Sequence, residues 1–156
     1  MNTAATVVRA AQAERLEQAD GSALRLLADP AVTGCDLSVH HTLLREGAGG
    51  AGPHHHLTSA ELFYVVAGAV EVLVGDEIVL AGAGDLVAIP PGTVHAFGAA
   101  AGHDAELLVL TPTVERFDLF RQAFGHATVP TDGDPDRFDT HPDHSATWLN
   151  ARRTTP

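Results

Sequence analysis

No lysine occurs in the chain: all nine basic residues are arginine. That excludes a Schiff-base lysine and the lysine of a phosphate-binding P-loop. A single cysteine, Cys35, leaves no internal disulfide to form and agrees with a reducing, cytoplasmic setting. It lies between Gly34 and Asp36 with no cationic neighbour in sequence, so it reads as a small buried residue and not as a nucleophile. Long apolar runs are missing too. The most apolar stretch, Leu62 to Pro91, is interrupted by Glu71, Asp76, Glu77 and Asp85, and no window in it suits a membrane-crossing helix. The first twenty residues mix Arg9, Glu14, Arg15 and Glu17 with alanines and do not read as a signal peptide. Positive charge is scarce overall. A net charge of −11 argues against nucleic acid and anionic membrane surfaces as partners.

What is present is the material of one globular domain: 156 residues, 45% of them hydrophobic. Short apolar segments alternate with turn residues. Candidate strands are Ser22–Leu27, Leu37–Leu44, Glu61–Ala67, Val70–Val74, Glu77–Leu80, Asp85–Ile89, Val94–Gly98 and Glu106–Thr111. Between them, Ala67-Gly68-Ala69 and Gly75-Asp76 read as tight reversals, Gly82-Ala83-Gly84 as a turn, and Pro90-Pro91-Gly92 as a stiff bend. Strands so regularly spaced, without helical patterns between them, predict an all-β sandwich or barrel.

One helix is expected, over Val114–Phe124, where Phe117, Phe120 and Phe124 form an apolar stripe. Such a helix packs on the outside of the barrel or forms a wall of its pocket. Beyond Gly125 the chain turns to Asp, Thr, Pro and His; wrapping the barrel, forming a lid and partial disorder all fit that composition. The domain plan is therefore an N-terminal arm with strands (1–34), a barrel (35–112), and a helix with a polar tail (113–156).

The chemistry gathers in two places. Within Pro53-His54-His55-His56, residues two apart in an extended chain face one side, so His54 and His56 can aim at one point while His55 faces away. Glu61 opens the next apolar strand, where an inward carboxylate is costly without a cation or hydrogen bonds. His95 follows the rigid Pro90–Gly92 turn. A small barrel would bring the two segments together across its interior. With Glu61 inward, Phe63, Val65 and Ala67 are inward too, while Leu62, Tyr64 and Val66 face out; an inward His95 brings Phe97 with it. Phe63 and Phe97 then make an apolar wall for a hydrophobic ligand, or serve as ordinary core residues. Of His40 and His41, adjacent in a strand, one must face inward. His141 and His144 with Asp139 are read as solvated tail residues.

These residues resemble the two motifs of the cupins. The first runs Gly, five residues, His-x-His, three or four residues, Glu, six residues, Gly; the chain has His54-x-His56, four residues, Glu61, six residues, Gly68. The second runs Gly, five residues, Pro-x-Gly, two residues, His, three residues, Asn; the chain has Gly84, five residues, Pro90-x-Gly92, two residues, His95. Two positions depart: Ala48 stands where the first motif has glycine, with Gly49 next to it, and Ala99 replaces the closing asparagine.

The resemblance covers about Leu37 to Thr111. It implies a double-stranded β-helix, a jelly-roll barrel, holding one divalent transition metal on His54, His56, Glu61 and His95. Such donors suit Fe, Mn, Ni, Co or Zn. Among cupins the chain looks most like the single-domain quercetin 2,3-dioxygenase-like group. That likeness implies a dioxygenase acting on an aromatic or enolic small molecule, with Glu61 as ligand and catalytic base and Phe63 and Phe97 against the substrate. A cyclase or isomerase of aromatic polyketides, or a non-catalytic binding barrel, are the alternatives. Outward apolar residues such as Leu62, Tyr64 and Val66 suggest a homodimer.

Overall fold

The computed structural model describes residues 4–111, 117, 120, 121 and 142–153. Eight strands and two helices make up the named elements among them: β1 (Arg15–Glu17), β2 (Ala23–Ala28), α1 (Pro30–Thr33), β3 (Ser38–Leu44), β4 (Glu61–Val74), β5 (Glu77–Gly82), β6 (Leu86–Ile89), β7 (His95–Ala99), β8 (Ala105–Thr111) and α2 (Pro142–Arg153). Every strand pairing is antiparallel, in the order β1-β2-β3-β8-β4-β5, with β6 and β7 also paired to β4. The all-β architecture is the one expected from the spacing of the turns, and it takes the jelly-roll form that the motif resemblance implied.

The 14-residue β4 organises the barrel. Its first half pairs with β6 and β8, its second with β5 and β7, so one strand belongs to both walls. The expected reversal at Ala67-Gly68-Ala69 is therefore absent, and Glu61–Ala67 and Val70–Val74 are one strand. The glycine serves a corner instead. The β4–β8 register slips between Val65 and Ala67, a bulge that inserts an extra residue and increases the local twist. Gly68 takes a positive φ of 72°, and a Cβ there would lie 1.9 Å from the Asp104 carbonyl oxygen. The slip also breaks the alternation, so Ala67, expected inward, is exposed.

Alternation holds in β3, β8 and the first half of β4, while β7 is buried on both faces. Phe63, Val65, Val70, Val72, Leu107 and Val109 are fully buried and meet in the core, while Tyr64 and Val66 face out. β3 reads inward at Ser38, His40, Thr42 and Leu44, which settles the question left by the adjacent histidines: His40 is inside. His41 is on the outer face, 3.0 Å from Glu106.

Three further features differ from the sequence reading. Cys35, expected to be buried, is exposed, because it sits in the loop after α1 and before β3 begins. The strand β1 and the short helix α1, capped by Asp29 and opened by Pro30, were not expected from the sequence pattern. The polar tail contains the helix α2, whose Trp148 is buried against Leu73, Val94 and Ala96. Thus, over the described residues, the tail wraps the barrel. Of the expected Val114–Phe124 helix, Phe117, Phe120 and Arg121 are described and helical; Val114 and Phe124 lie outside the described residues, as do Asp139 and His141. Phe120 meets the inward His40 edge-on at 4.9 Å, so part of this stripe serves the barrel interior.

Candidate metal centre

Backbone hydrogen bonds, more than side chains, bring the two chemical segments together. The extended segment 48–56 runs antiparallel beside β7: Ala99 N donates to Ala48 O (2.9 Å), Gly50 N to Phe97 O (2.9 Å), and His54 and His95 exchange a reciprocal pair at 3.0 and 2.8 Å. Gly92, at φ 77° in the Pro90–Gly92 turn, donates to His56 O at 2.7 Å. Both motifs are thereby locked in register before any ligand is considered. The two departures from the motif, Ala48 and Ala99, prove to be partners in this ladder.

The side chains follow. His54, His56, Glu61 and His95 are all buried, and one ligand atom from each lies within 4.8 Å of the others. Atoms bound to a common ion at about 2.1 Å span at most about 4.2 Å, so a small contraction would close the set around one metal. Nδ1–H of His54 donates to Gly52 O (2.8 Å) and Nδ1–H of His95 to Thr93 O (2.9 Å). These bonds orient both rings with Nε2 turned into the site. Nε2 of His95 then faces Glu61 Oε2 at 2.7 Å, and Nε2 of His56 faces the same oxygen at 3.7 Å. In the metal-free site a proton on Nε2 of His95 bonds to Glu61, and a metal ion would take that proton's place. The donor set fits one transition metal.

Electrostatics agree. Burial first, and the neighbouring His95 second, lower the His54 pKa to about 4 against the opposing bond to Gly52, so the ring is neutral near pH 7, as a metal ligand must be. Burial alone would raise the Glu61 pKa. The His56 and His95 imidazoles outweigh it and hold the carboxyl below the usual carboxylate range, so Glu61 is an anion.

Beside the centre stand the two expected phenylalanines. Phe63 lies 6.1 Å from His95 and 4.9 Å from Phe97, ring centre to ring centre. His55 faces away and is half-buried, as alternation requires. Sequence reasoning missed Gly50, because its contact is 47 positions away: a Cβ there would lie 2.4 Å from the Phe97 ring, so only glycine lets the loop close over it. It missed Arg152 for the same reason. From α2, the Arg152 guanidinium donates to Gly47 O (2.9 Å) and Ala48 O (3.0 Å), holding that loop from behind.

Residues 40–111 match the family model described as the cupin domain. Among solved structures, an RmlC-like cupin from Shewanella frigidimarina is 24% identical at a TM-score of 0.60, over 75% of this chain and 99% of that one. A sugar phosphate isomerase of the cupin superfamily from Silicibacter pomeroyi is 22% identical at a TM-score of 0.59, over 68% of this chain and 74% of that one. The polyketide cyclase RemF from Streptomyces resistomycificus is 20% identical at a TM-score of 0.57, over 68% and 78%. No curated protein matches the sequence. At these identities the likeness establishes the fold.

Proposed function

From the premise of a cupin fold with a cupin-domain match over residues 40–111, we propose that the chain is a metal-dependent enzyme that takes a small enolic or aromatic molecule by its oxygen atoms. The observation that carries this reading is the buried convergence of His54, His56, Glu61 and His95 beside Phe63. The ion is one divalent transition metal, and imidazole and carboxylate donors accept Fe, Mn, Ni, Co or Zn. Bound there, it supplies a Lewis acid that stabilises negative charge on a substrate oxygen.

The chain's own side chains do the rest. Glu61, anionic between His56 and His95, is the group placed to accept the enolic or phenolic proton. Phe63 and Phe97 give a flat substrate an apolar wall and keep water from the reacting end.

Two reactions suit this site. Ring opening by a dioxygenase of the quercetin 2,3-dioxygenase type follows from the motif resemblance. Non-oxidative cyclisation or isomerisation is favoured by fold neighbours described as a polyketide cyclase and a sugar phosphate isomerase. Oxygen uptake with a panel of flavonols and 1,3-diketones separates them, since only the first consumes oxygen. Ligand binding without any turnover would instead mark a binding barrel. The metal itself is tested by elemental analysis of the purified protein beside His95→Ala, whose content should fall at least about tenfold. Equal metal in the two proteins would sink the reading.

The outer sheet face, where exposed Tyr64 pairs with exposed Leu86 near exposed Val66, supports a homodimer. A monomer mass by light scattering would reject it.

A further inference from the structure

Away from the metal centre, the inner walls of the barrel are mostly apolar; the polar residues gather on β3, with Thr111 of β8 opposite Ser38. Beyond Glu61, β4 presents Phe63 and Val65; β8 presents Leu107 and Val109; β2 presents Leu24 and Leu26. On β3 the three successive inward residues before Leu44 are Ser38, His40 and Thr42, all buried. Their registers place them in the same sheet as the first half of β4, two strands away. His40 is level with Val109 and, across β8, with Phe63; Thr42 is level with Leu107 and, across β8, with Val65.

Thr42 is 5% exposed, and its Oγ1 has no hydrogen-bond partner among the described residues. A buried hydroxyl without a partner is destabilising, and valine would fill the same space without that cost. Its presence next to an inward histidine has a direct explanation if a ligand completes the bond.

We propose that the inner face of β3, through His40 and Thr42, recognises a hydrogen-bonding group on the edge of the substrate opposite the metal. The inference rests on the metal-centre reading and narrows it to a substrate class. Two strand spacings separate β3 from β4, roughly 10 Å of sheet. The substrate is then a flat, mainly apolar molecule with oxygens at the metal end and a hydroxyl or carbonyl at the far end. Phe120, packed edge-on against His40, closes that end.

The test compares two probes on the metal-loaded protein: 3-hydroxyflavone, and 3,4′-dihydroxyflavone, which adds a hydroxyl at the end remote from its chelating pair. Binding is read from the probe's own absorption change on chelation. The native protein should favour the dihydroxy probe by about fivefold to tenfold, the ordinary effect of one buried hydrogen bond. In Thr42→Val with His40→Phe, which keep shape and ring packing, the preference should shrink to about twofold or less while 3-hydroxyflavone binds as before. Thr42→Ser with native His40 should keep the preference.

An equal preference in native and double-variant proteins overturns the inference, as does no preference in the native protein. Metal content, measured on the same samples, separates the two levels. A metal-loaded protein that fails to discriminate rejects the β3 strip alone. A protein that holds no metal in the His-Glu set rejects the parent reading and the inference with it.

Discussion

At the scale of single residues, the centre couples stability to pH through His54. Its folded pKa is about 4 against an ordinary 6.5, because burial opposes the cation. The unfolded chain therefore takes up this proton first as pH falls. Stability from the neutral ring is complete above about pH 6.5 and is lost progressively down to about 4, a total of about 3 kcal/mol. Glu61 adds a second loss at lower pH. Its folded pKa is depressed, so its contribution is present above the ordinary carboxylate value and disappears as pH falls through the folded one. Urea unfolding of the metal-free protein should show about 2 kcal/mol less stability at pH 5 than at pH 7.5, and His54→Asn should flatten that difference. A native protein equally stable at both pH values would contradict the burial argument. Metal should steepen the dependence, since protons and metal compete for the same nitrogens. The convergence of His54, His56, Glu61 and His95 was legible in sequence because these residue types are unusual together and their spacing within each of the two segments is short. The inward choice between His40 and His41 was not, since parity within a strand is fixed only by its pairing, here with β2 and β8.

At the scale of elements, β4 shows what patterning reveals and what it hides. Its apolar alternation marked Glu61–Ala67 and Val70–Val74 as extended, but one strand was read as two, because the Ala67-Gly68-Ala69 interruption looks the same in sequence whether the chain reverses or bends. The difference is long-range: Gly68 pairs with Ala105 on β8 and sits against the Asp104 carbonyl. A side chain at Gly68 would combine a strained positive φ with a clash against backbone that cannot move aside cheaply. Gly68→Ala should therefore cost about 3 kcal/mol in chemical denaturation, the sum of left-handed strain and overpacking. Gly75, also at positive φ but with nothing within 4 Å of a Cβ, isolates the first part: Gly75→Ala should cost about 1 kcal/mol. Equal losses at the two positions would mean that the Asp104 contact carries no weight, and that Gly68 is an ordinary turn residue. Turn chemistry in sequence thus identified where β4 changes direction, while the sense of the change depended on a partner strand nearly forty residues downstream.

At the scale of the whole molecule, the C-terminal helix ties the barrel's glycine-rich loop to its opposite end in sequence. α2 seats Trp148 in a pocket formed by Leu73, Val94 and Ala96, and the Arg152 guanidinium lies 5.0 Å from the Trp148 ring centre. From there Arg152 reaches Gly47 O and Ala48 O, with Glu71 at 3.7 Å to balance its charge. Gly98 makes room for it, because a Cβ would lie 2.1 Å from the guanidinium. None of this was readable from a tail rich in Asp, Thr, Pro and His, whose composition suits a solvated segment; one tryptophan and one arginine decide the docking. The held loop is the same 48–56 segment that carries His54 and His56 and covers Phe97, so α2 supports the candidate site without touching it. Arg152→Met keeps the length and apolar stem but removes the donors. It should lower stability by about 2 kcal/mol, the scale of charge-assisted hydrogen bonds to carbonyls. It should also speed hydrogen exchange at the Gly50 and Ala99 amides, which pair this loop with β7, while exchange in β3 and β8 rises only with the global loss. Wild-type exchange rates at Gly50 and Ala99 in Arg152→Met would show that the loop keeps its place through β7 alone, and that α2 is a passenger on the barrel.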